Sequence, residues 1–409
     1  MDIIVVGGGI AGLSLAIGLK RHGISCRVYE SAPEIKELGV GITLLPHATR
    51  EFAALGLLEK LQAVAIENQV SKFFNRWGQL IYQEPRGRFA GYDCPELGLH
   101  RARLHGVLYR TAQEELGAAN IALNHHCVAV DQDERGTTAR FKETSSGAQL
   151  PSVRADIVIA GDGINSAVRR QFYPHEQLAF TGINTWRGVT RRKPILGGRT
   201  YMRVGSIETG KIVIYPIVDN VDDHGNQLIN WMAEIRQPSA AMNDWNARGR
   251  LEDFFPVYED WRFDWLDVAE LISSADQILE YPMVDKDPVT QWTFGRVTLM
   301  GDAAHPMYPR GSNGAAQAAI DARVLADLLG RGMEPVTALK AYESARLPRA
   351  NQVVEANRKH PPDYINILVD QRTGGKPFSR IDDVVSQEEL RQISEDYKRL
   401  AGFSRDRSS

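Results

Sequence analysis

The chain has 409 residues, 43% hydrophobic and 24% charged, with a formal net charge of −3. That length suits one large or two intimate domains around a sizeable core. The balanced charge argues against a nucleic-acid partner and against a polybasic membrane patch. Cys26, Cys94 and Cys127 are scattered without metal-ligand spacing, so reduced thiols in a cytoplasmic protein and no metal site are expected. The first strand is expected from residue 2, which leaves no room for a signal peptide, and no apolar run reaches the roughly 18 residues of a spanning helix.

Residues 2–6 read as a short buried strand, followed by the turn Gly7-Gly8-Gly9-Ile10-Ala11-Gly12. A helix over 10–22 and a second strand over 25–30 complete a dinucleotide fingerprint. Gly7 allows the turn, Gly9 lets a pyrophosphate approach, and Gly12 lets the helix pack on the strand. The helix N-terminus offers free N–H groups to phosphate. Glu30, closing the second strand, is placed for an adenosine ribose hydroxyl. The fingerprint alone leaves NAD and FAD both open.

Residues 38–46 carry Gly39 and Gly41 between β-branched and apolar residues, which suggests backbone lying against something flat. A helix is expected over 47–61, with His47 as a capping or surface residue. Residues 70–83 read as a hairpin turning at Trp77-Gly78. Arg101 precedes a helix over 102–115. A cation there opposes the helix dipole, so it serves either an anion or a surface salt bridge. Strands are expected over 121–131 and 137–143. A further buried strand, 156–160, runs into Gly161-Asp162-Gly163, an anion- or hydroxyl-binding corner ahead of another helix start.

Four strands over 183–190, 199–205, 211–218 and 227–235 indicate a largely antiparallel sheet inserted into the nucleotide domain. It contains Trp186, Tyr215 and Trp231. Aromatics in strands usually pack a core, but three beside a cofactor would also suit a flat ligand. Residues 251–272 look helical, with Trp261 and Trp265 packing inside. A third buried strand, 296–300, ends in Gly301-Asp302-Ala303-Ala304-His305. The loop Pro309-Arg310-Gly311-Ser312-Asn313-Gly314 leads into an Ala-rich helix over 315–329 with no acid near its start. That N-terminus is free to face negative charge on a reduced flavin. Another helix is expected over 340–357. Beyond His360-Pro361-Pro362 the pattern loosens until residues 386–400, a short helix with Ser386 and Glu389 as a capping box. The last six residues are expected to be mobile.

The glycine fingerprint, the Asp-Gly corner at 162–163 and the Gly-Asp-Ala-Ala-His corner at 301–305, in that order, resemble the class A FAD-dependent aromatic hydroxylases, over residues 1 to about 358. Finer stretches resemble the phenazine-carboxylate hydroxylases of that family: 38–42, 84–87, 185–190, 244–246, 249–253, 281–285 and 302–305. Arg310 departs from that pattern, where an apolar residue would be expected. The resemblance implies an α/β fold in which a Rossmann-like FAD-binding domain (1–70, 97–180, 290–358) carries a largely antiparallel substrate sheet (71–96, 181–289). A helical tail (359–409) follows. It implies cofactor contacts from Gly7, Gly9, Ala11, Gly12, Glu30, Gly41, Arg101, Val128, Asp162, Asp302, Gly311, Gly314 and Ala315. Pro309 would lie beside the isoalloxazine. No acid–base residue is assigned.

The activity implied is hydroxylation of an aromatic or N-heteroaromatic ring through a flavin C4a-hydroperoxide. NADH or NADPH would bind transiently, and O₂ would be co-substrate. Attack at a carboxyl-bearing carbon would release CO₂. Arg187 could pair with a carboxylate through its planar fork, or simply brace Trp186 or the cofactor domain. Tyr215 could bond or stack on the ring, or be strand core. Thr43, Leu45 and Trp231 are further candidates for pocket walls. Arg191 and Arg192 could favour a 2′-phosphate or belong to a solvated loop. The resemblance allows a homodimer. Two other readings stay open: a flavin oxidase or reductase without oxygen insertion, and a non-catalytic flavin sensor.

Overall fold

The computed structural model describes residues 1–35, 39–238, 247–359, 363–402 and 404. Leu38, the segment 244–246, His360-Pro361-Pro362 and most of the final hexapeptide therefore lie outside the described residues.

Two sheets carry the architecture. Ile3–Val6 is apolar throughout and fully buried, as a strand covered on both faces must be. It pairs in parallel with Ile157–Ala160 on one side and Arg27–Tyr29 on the other. Val297–Leu299 and Ile121–Ala122 extend this sheet, and Thr293–Phe294 closes it antiparallel. Helices Ile10–Arg21, Arg101–Leu116 and Gly314–Gly330 belong to the same large core. The three sequence corners thus all follow strands of one sheet.

The second sheet has seven strands, in the order Ile278–Asp285, Ala179–Arg192, Gln227–Arg236, Gly210–Val218, Thr200–Ser206, Val70–Phe74 and Leu80–Pro85. All its pairings are antiparallel except that of Thr200–Ser206 with Val70–Phe74. One face packs Trp186, Trp231, Phe254 and Tyr258 into a second core. The other face meets Gly41–Leu44. There Gly41 N–H donates to Asn230 Oδ1 at 2.7 Å, and a Cβ on Gly41 would come within 2.7 Å of the Asn230 side chain. What the glycine-rich segment lies against is therefore this sheet.

Three expectations need correction. The helix over 47–61 is two helices, Pro46–Ala54 and Leu58–Gln62, separated by Gly56 at φ +56°. Residues 251–272 are not one helix: short 3₁₀ turns and a two-residue hairpin precede Val268–Ser273. Pro256 and a run of aromatic residues packing sideways leave little room for a regular helix, although Trp261 and Trp265 do pack. The loose tail contains a helix, Tyr364–Thr373, ahead of Gln387–Leu400. Ile365, Val369 and Leu390 of the tail cover Phe73 and Tyr82 of the large sheet.

Candidate active site

The fingerprint turn is built so that side chains are excluded. Gly7 holds φ +98°, and a Cβ there would lie 2.4 Å from Gly161 O. A Cβ on Gly12 would lie 2.0 Å from Gly7 O, whereas one on Gly9 would meet nothing within 4 Å. Gly7 and Gly12 are thus required by the protein, and Gly9 faces open space. Helix Ile10–Arg21 has neither a side-chain cap nor an acid in its first turn, which suits phosphate. The Glu30 carboxylate accepts from Gly8 N–H at 2.6 Å and Ala32 N–H at 2.7 Å, holding it beside the turn.

The other corners converge on this point. A Cβ on Gly301 would sit 2.8 Å from Ala11 Cβ. Asp302 and Arg101 are exposed, within electrostatic reach of each other. Although Asp302 reaches solvent, the protein crowded around its carboxyl desolvates it and pushes it above its ordinary range, and His305 and Arg101 pull it back. Asp162 is engaged by the protein: it accepts from Ser166 Oγ at 2.5 Å and Ala167 N–H at 2.9 Å, fixing the start of Ala167–Phe172. Val128 is half-buried in His125–Asp133. Helix Gly314–Gly330 also begins without a side-chain cap or an early acid. A Cβ on Gly314 meets nothing within 4 Å, while Ala315 is buried. Open space beside two uncapped helix N-termini, with Asp302 and Arg101 facing it, fits a dinucleotide flavin.

Facing this cleft, the large sheet presents Arg187 and Tyr215. Arg187 lies 5.2 Å over the Tyr281 ring, and burial lowers its pKa. Tyr215 stacks on Tyr201 at 5.1 Å with Thr43 nearby, and burial pushes its hydroxyl well above the ordinary tyrosine range, so it stays protonated. Trp231 is different. It stands opposite Ile214 and Gly188, is fully buried, and donates its indole N–H to Thr190 Oγ1 at 3.1 Å. It belongs to the rear core, so its expected place as a pocket wall is corrected: strand parity turns it away from the cleft. Leu45 and Gly311 line one cavity of about 180 Å³. Pro309 is exposed just before it.

Residues 1–357 match a family described as an FAD binding domain. The chain belongs to this family. It is 38% identical to the phenazine 1,6-dicarboxylic acid hydroxylase PhzS of Lysobacter antibioticus, over 87% of this chain and 89% of that one. It is 35% identical to the 3-amino-4-hydroxybenzoate 2-monooxygenase PtmB3 of Streptomyces platensis, over 88% of each. Among solved structures, Klebsiella pneumoniae HpxO with FAD and uric acid shares the fold at TM-score 0.73 and 23% identity, covering 99% of this chain and 93% of that one. The protein is an FAD-dependent aromatic monooxygenase, drawing on NAD(P)H and O₂.

Several residues of the monooxygenase that shape the cleft, Arg169, Arg203, Asp321 and Tyr397 among them, were not singled out from sequence, and His47 was read differently. Arg169 is fully buried and donates to the carbonyls of Ala303 and Ala304 at 2.9 and 2.6 Å, tying the Asp-Gly corner to the Gly-Asp-Ala-Ala-His corner. His305 is held by Asp321 at 2.6 Å, and Asp321 also accepts from Arg346 at 2.7 Å. His47 is buried rather than capping or surface-exposed; burial, then Arg50, lowers its pKa to about 3, so it is neutral. Arg203, the one charged residue of strand Thr200–Ser206, lines the cavity. That lone cation was the available signal. Tyr397 of the tail helix lines it too and accepts from Asn313 Nδ2 at 3.1 Å. Arg191 and Arg192 each lie near an acid, Asp222 at 3.8 Å and Glu270 at 3.7 Å. Among the described residues, no His/Cys/Asp/Glu group could hold a metal ion, and no helix is long and apolar enough to cross a membrane.

Proposed function

We propose that the cleft between the two sheets hydroxylates a flat aromatic carboxylate. The open space beside the uncapped N-terminus of Gly314–Gly330, facing Arg187 and Tyr215 across the cleft, carries this reading. The named relatives act on phenazine and benzoate acids, which supports the substrate class. Bound FAD supplies electron storage and oxygen activation, and the chain positions the ring and excludes water. Gly7, Gly9, Ala11 and Gly12 cradle the pyrophosphate, and Glu30 takes the adenosine ribose. Arg101 meets the phosphates, Val128 borders the adenine, and Asp302 takes the ribityl chain. Gly311, Gly314 and Ala315 hold the pyrimidine edge, with Pro309 against the ring. Asp162 acts through its helix cap and Gly41 through its contact with Asn230. Arg187 pairs with a substrate carboxylate. Tyr215, protonated, donates to or stacks on the ring beside Thr43 and Leu45. The FAD half is 1–70, 97–180 and 290–358, and the substrate half is 71–96 and 181–289. Residues 359–409 are the tail, and its described residues between Tyr364 and Leu400 finish the cavity.

The deciding experiment follows NADH and NADPH consumption with benzoate, nicotinate and phenazine acids, while tracking peroxide and CO₂. One acid should speed oxidation with little peroxide. Oxidation ending wholly in peroxide with every acid would sink this reading and leave an oxidase. CO₂ release would locate attack at the carboxyl-bearing carbon. A cytoplasmic protein is inferred from its three free cysteines and its need for NAD(P)H. A homodimer is inferred from family likeness, and sedimentation equilibrium reads it directly.

A further inference from the structure

The tail and the large sheet enclose the cavity of about 180 Å³ between them. No residue of the glycine fingerprint lines it. Its rim is exposed, with Tyr364 at 43% and Leu400 at 49%. Its floor, made by Leu45, Phe73 and Arg203, is buried. Its inner end is Gly311-Ser312, in the loop proposed above to meet the flavin. The cavity therefore runs from solvent to that loop. It has room for roughly a dozen waters, a bulk that a molecule of one or two rings can replace.

The charges in the cavity wall are matched, with one exception. Glu84 pairs with Arg86 at 3.2 Å and with Lys398 at 2.8 Å, and Arg86 also pairs with Glu96 at 2.7 Å. Asp396 pairs with Arg399 at 3.1 Å. Arg203 is 7% exposed and has no counter-ion among the described residues. Its side-chain hydrogen bond runs from Nη1 to Ser71 Oγ at 2.7 Å. The guanidinium lies 4.8 Å from the Phe73 ring and 4.5 Å from the Tyr201 ring, which holds it in place on the floor. A buried cation without a partner is costly, so this floor attracts an anion. Leu45, Phe73, Ile365 and Ile393 leave much of the remaining lining apolar, so the anion it suits carries an apolar body.

The roof of the cavity is built to move in one half only. Leu390 is buried with Phe73 and Tyr82 and pins the first half of helix Gln387–Leu400. Beyond it, Tyr397 and Ala401 rest beside Leu45, and the ties are polar. Ser394 Oγ and Lys398 Nζ donate to Glu84 at 2.6 and 2.8 Å, and Tyr397 accepts from Asn313 Nδ2 at 3.1 Å. Water can replace each of these ties at small net cost, whereas unseating Leu390 would expose apolar surface. We propose that the cavity is an entry station: Arg203 catches the carboxylate of the incoming acid beneath the tail, and the ring passes to the flavin loop as the second half of the helix swings out. The proposal rests on the hydroxylase reading. It gives the tail, which lies beyond the matched residues 1–357, a task in the reaction. The returning helix then shuts water out.

The test separates rates from affinity. A passage sets association and dissociation together and leaves Kd alone, whereas a contact in the final complex acts mainly on dissociation. Binding to the FAD-loaded protein is followed by flavin absorption in stopped flow. Benzoate is the small probe, phenazine-1-carboxylate the large one, and the acid that best speeds NAD(P)H oxidation the third. Leu400→Trp and Tyr364→Trp, at the exposed rim, should slow both rates of the large probe by about fivefold or more, with Kd within about twofold. Benzoate should be slowed less. Lys398→Met unties the helix while Arg86 still pairs with Glu84, and should speed both rates. Arg203→Gln should slow both severalfold; faster dissociation alone would put Arg203 on the finally bound acid and overturn the capture. Rates unmoved in both rim variants overturn the passage, as does a Kd that changes as much as the rates. If the rim variants lose FAD, Lys398→Met decides, and unchanged rates there overturn the proposal. Failure of the hydroxylase reading looks different: no acid would speed NAD(P)H oxidation with oxygen insertion, whereas a failed passage leaves turnover intact and the rates indifferent to the rim.

Discussion

Gly9 and Gly12 separate two demands that one motif combines. A Cβ on Gly12 would fall 2.0 Å from Gly7 O, whereas one on Gly9 would meet no protein atom within 4 Å. Gly12→Ala should destabilise the protein by about 1–3 kcal/mol in urea titration, with FAD loss following. Gly9→Ala should leave the apoprotein's melting temperature unchanged and weaken FAD by tenfold or more in a fluorescence titration. Equal behaviour of the two variants would refute the division. Asp321 carries a pH dependence. His305 and Arg346 outweigh its burial and hold its carboxyl down to about 2. A depressed carboxylate contributes stability that is fully present above the ordinary value near ~4 and is lost as pH falls from there toward about 2. Asp321→Asn leaves Arg346 buried without its carboxylate, so a loss of about 3–5 kcal/mol at pH 7 is expected. The gap between variant and parent should narrow below pH ~4 as the parent loses its own charge. Urea midpoints measured from pH 7 to 3 check both parts.

The fingerprint, the Asp-Gly corner and the Gly-Asp-Ala-Ala-His corner were legible because each encodes its geometry within a few residues. The four central strands were legible from β-branched alternation. What alternation cannot say is which side faces the cleft: Arg187 was read as a carboxylate partner and Trp231 as a further pocket wall, and only the register puts them on opposite faces. Helix Tyr364–Thr373 was illegible for a related reason. Its apolar residues Ile365 and Val369 are chosen to meet Phe73, nearly three hundred positions earlier. The last helix was readable from its cap, and Ser386 Oγ does accept from Glu389 N–H at 3.2 Å. Removing that cap by Ser386→Ala should cost about 1 kcal/mol, seen as faster amide exchange over the first turn of Gln387–Leu400. Unchanged exchange would mean that tertiary contacts alone hold the helix start.

At the scale of the whole molecule, the tail joins the sheet to the loop 309–313, proposed above to meet the flavin. Lys398 and Ser394 bond Glu84 at 2.8 and 2.6 Å, and Leu390 packs in the cluster with Phe73 and Tyr82. Tyr397 meets Asn313, and a Cβ on Gly311 would lie 1.6 Å from the Tyr397 hydroxyl. Gly311 and Ser312 both hold left-handed backbone, φ +69° and +56°, a shape a serine keeps only when its surroundings impose it. Asp363 adds a second tie: Lys211 and Arg310 both draw its carboxyl below the ordinary range. This gives a physical reason for Arg310 at a position where an apolar residue was expected. Ending the chain after residue 384 should therefore spare the fingerprint half, so the protein should still purify yellow. The flavin loop would lose its brace and the cavity its outer wall, admitting water beside the reacting ring. Peroxide formed per NAD(P)H consumed should rise several-fold with the best substrate, and KM should rise with it. Tyr397→Phe, which removes one hydroxyl and leaves the wall standing, should move the same ratio in the same direction by a smaller factor. Full coupling in the shortened chain would show that the flavin loop keeps its shape unaided, with the tail serving only to cover the sheet.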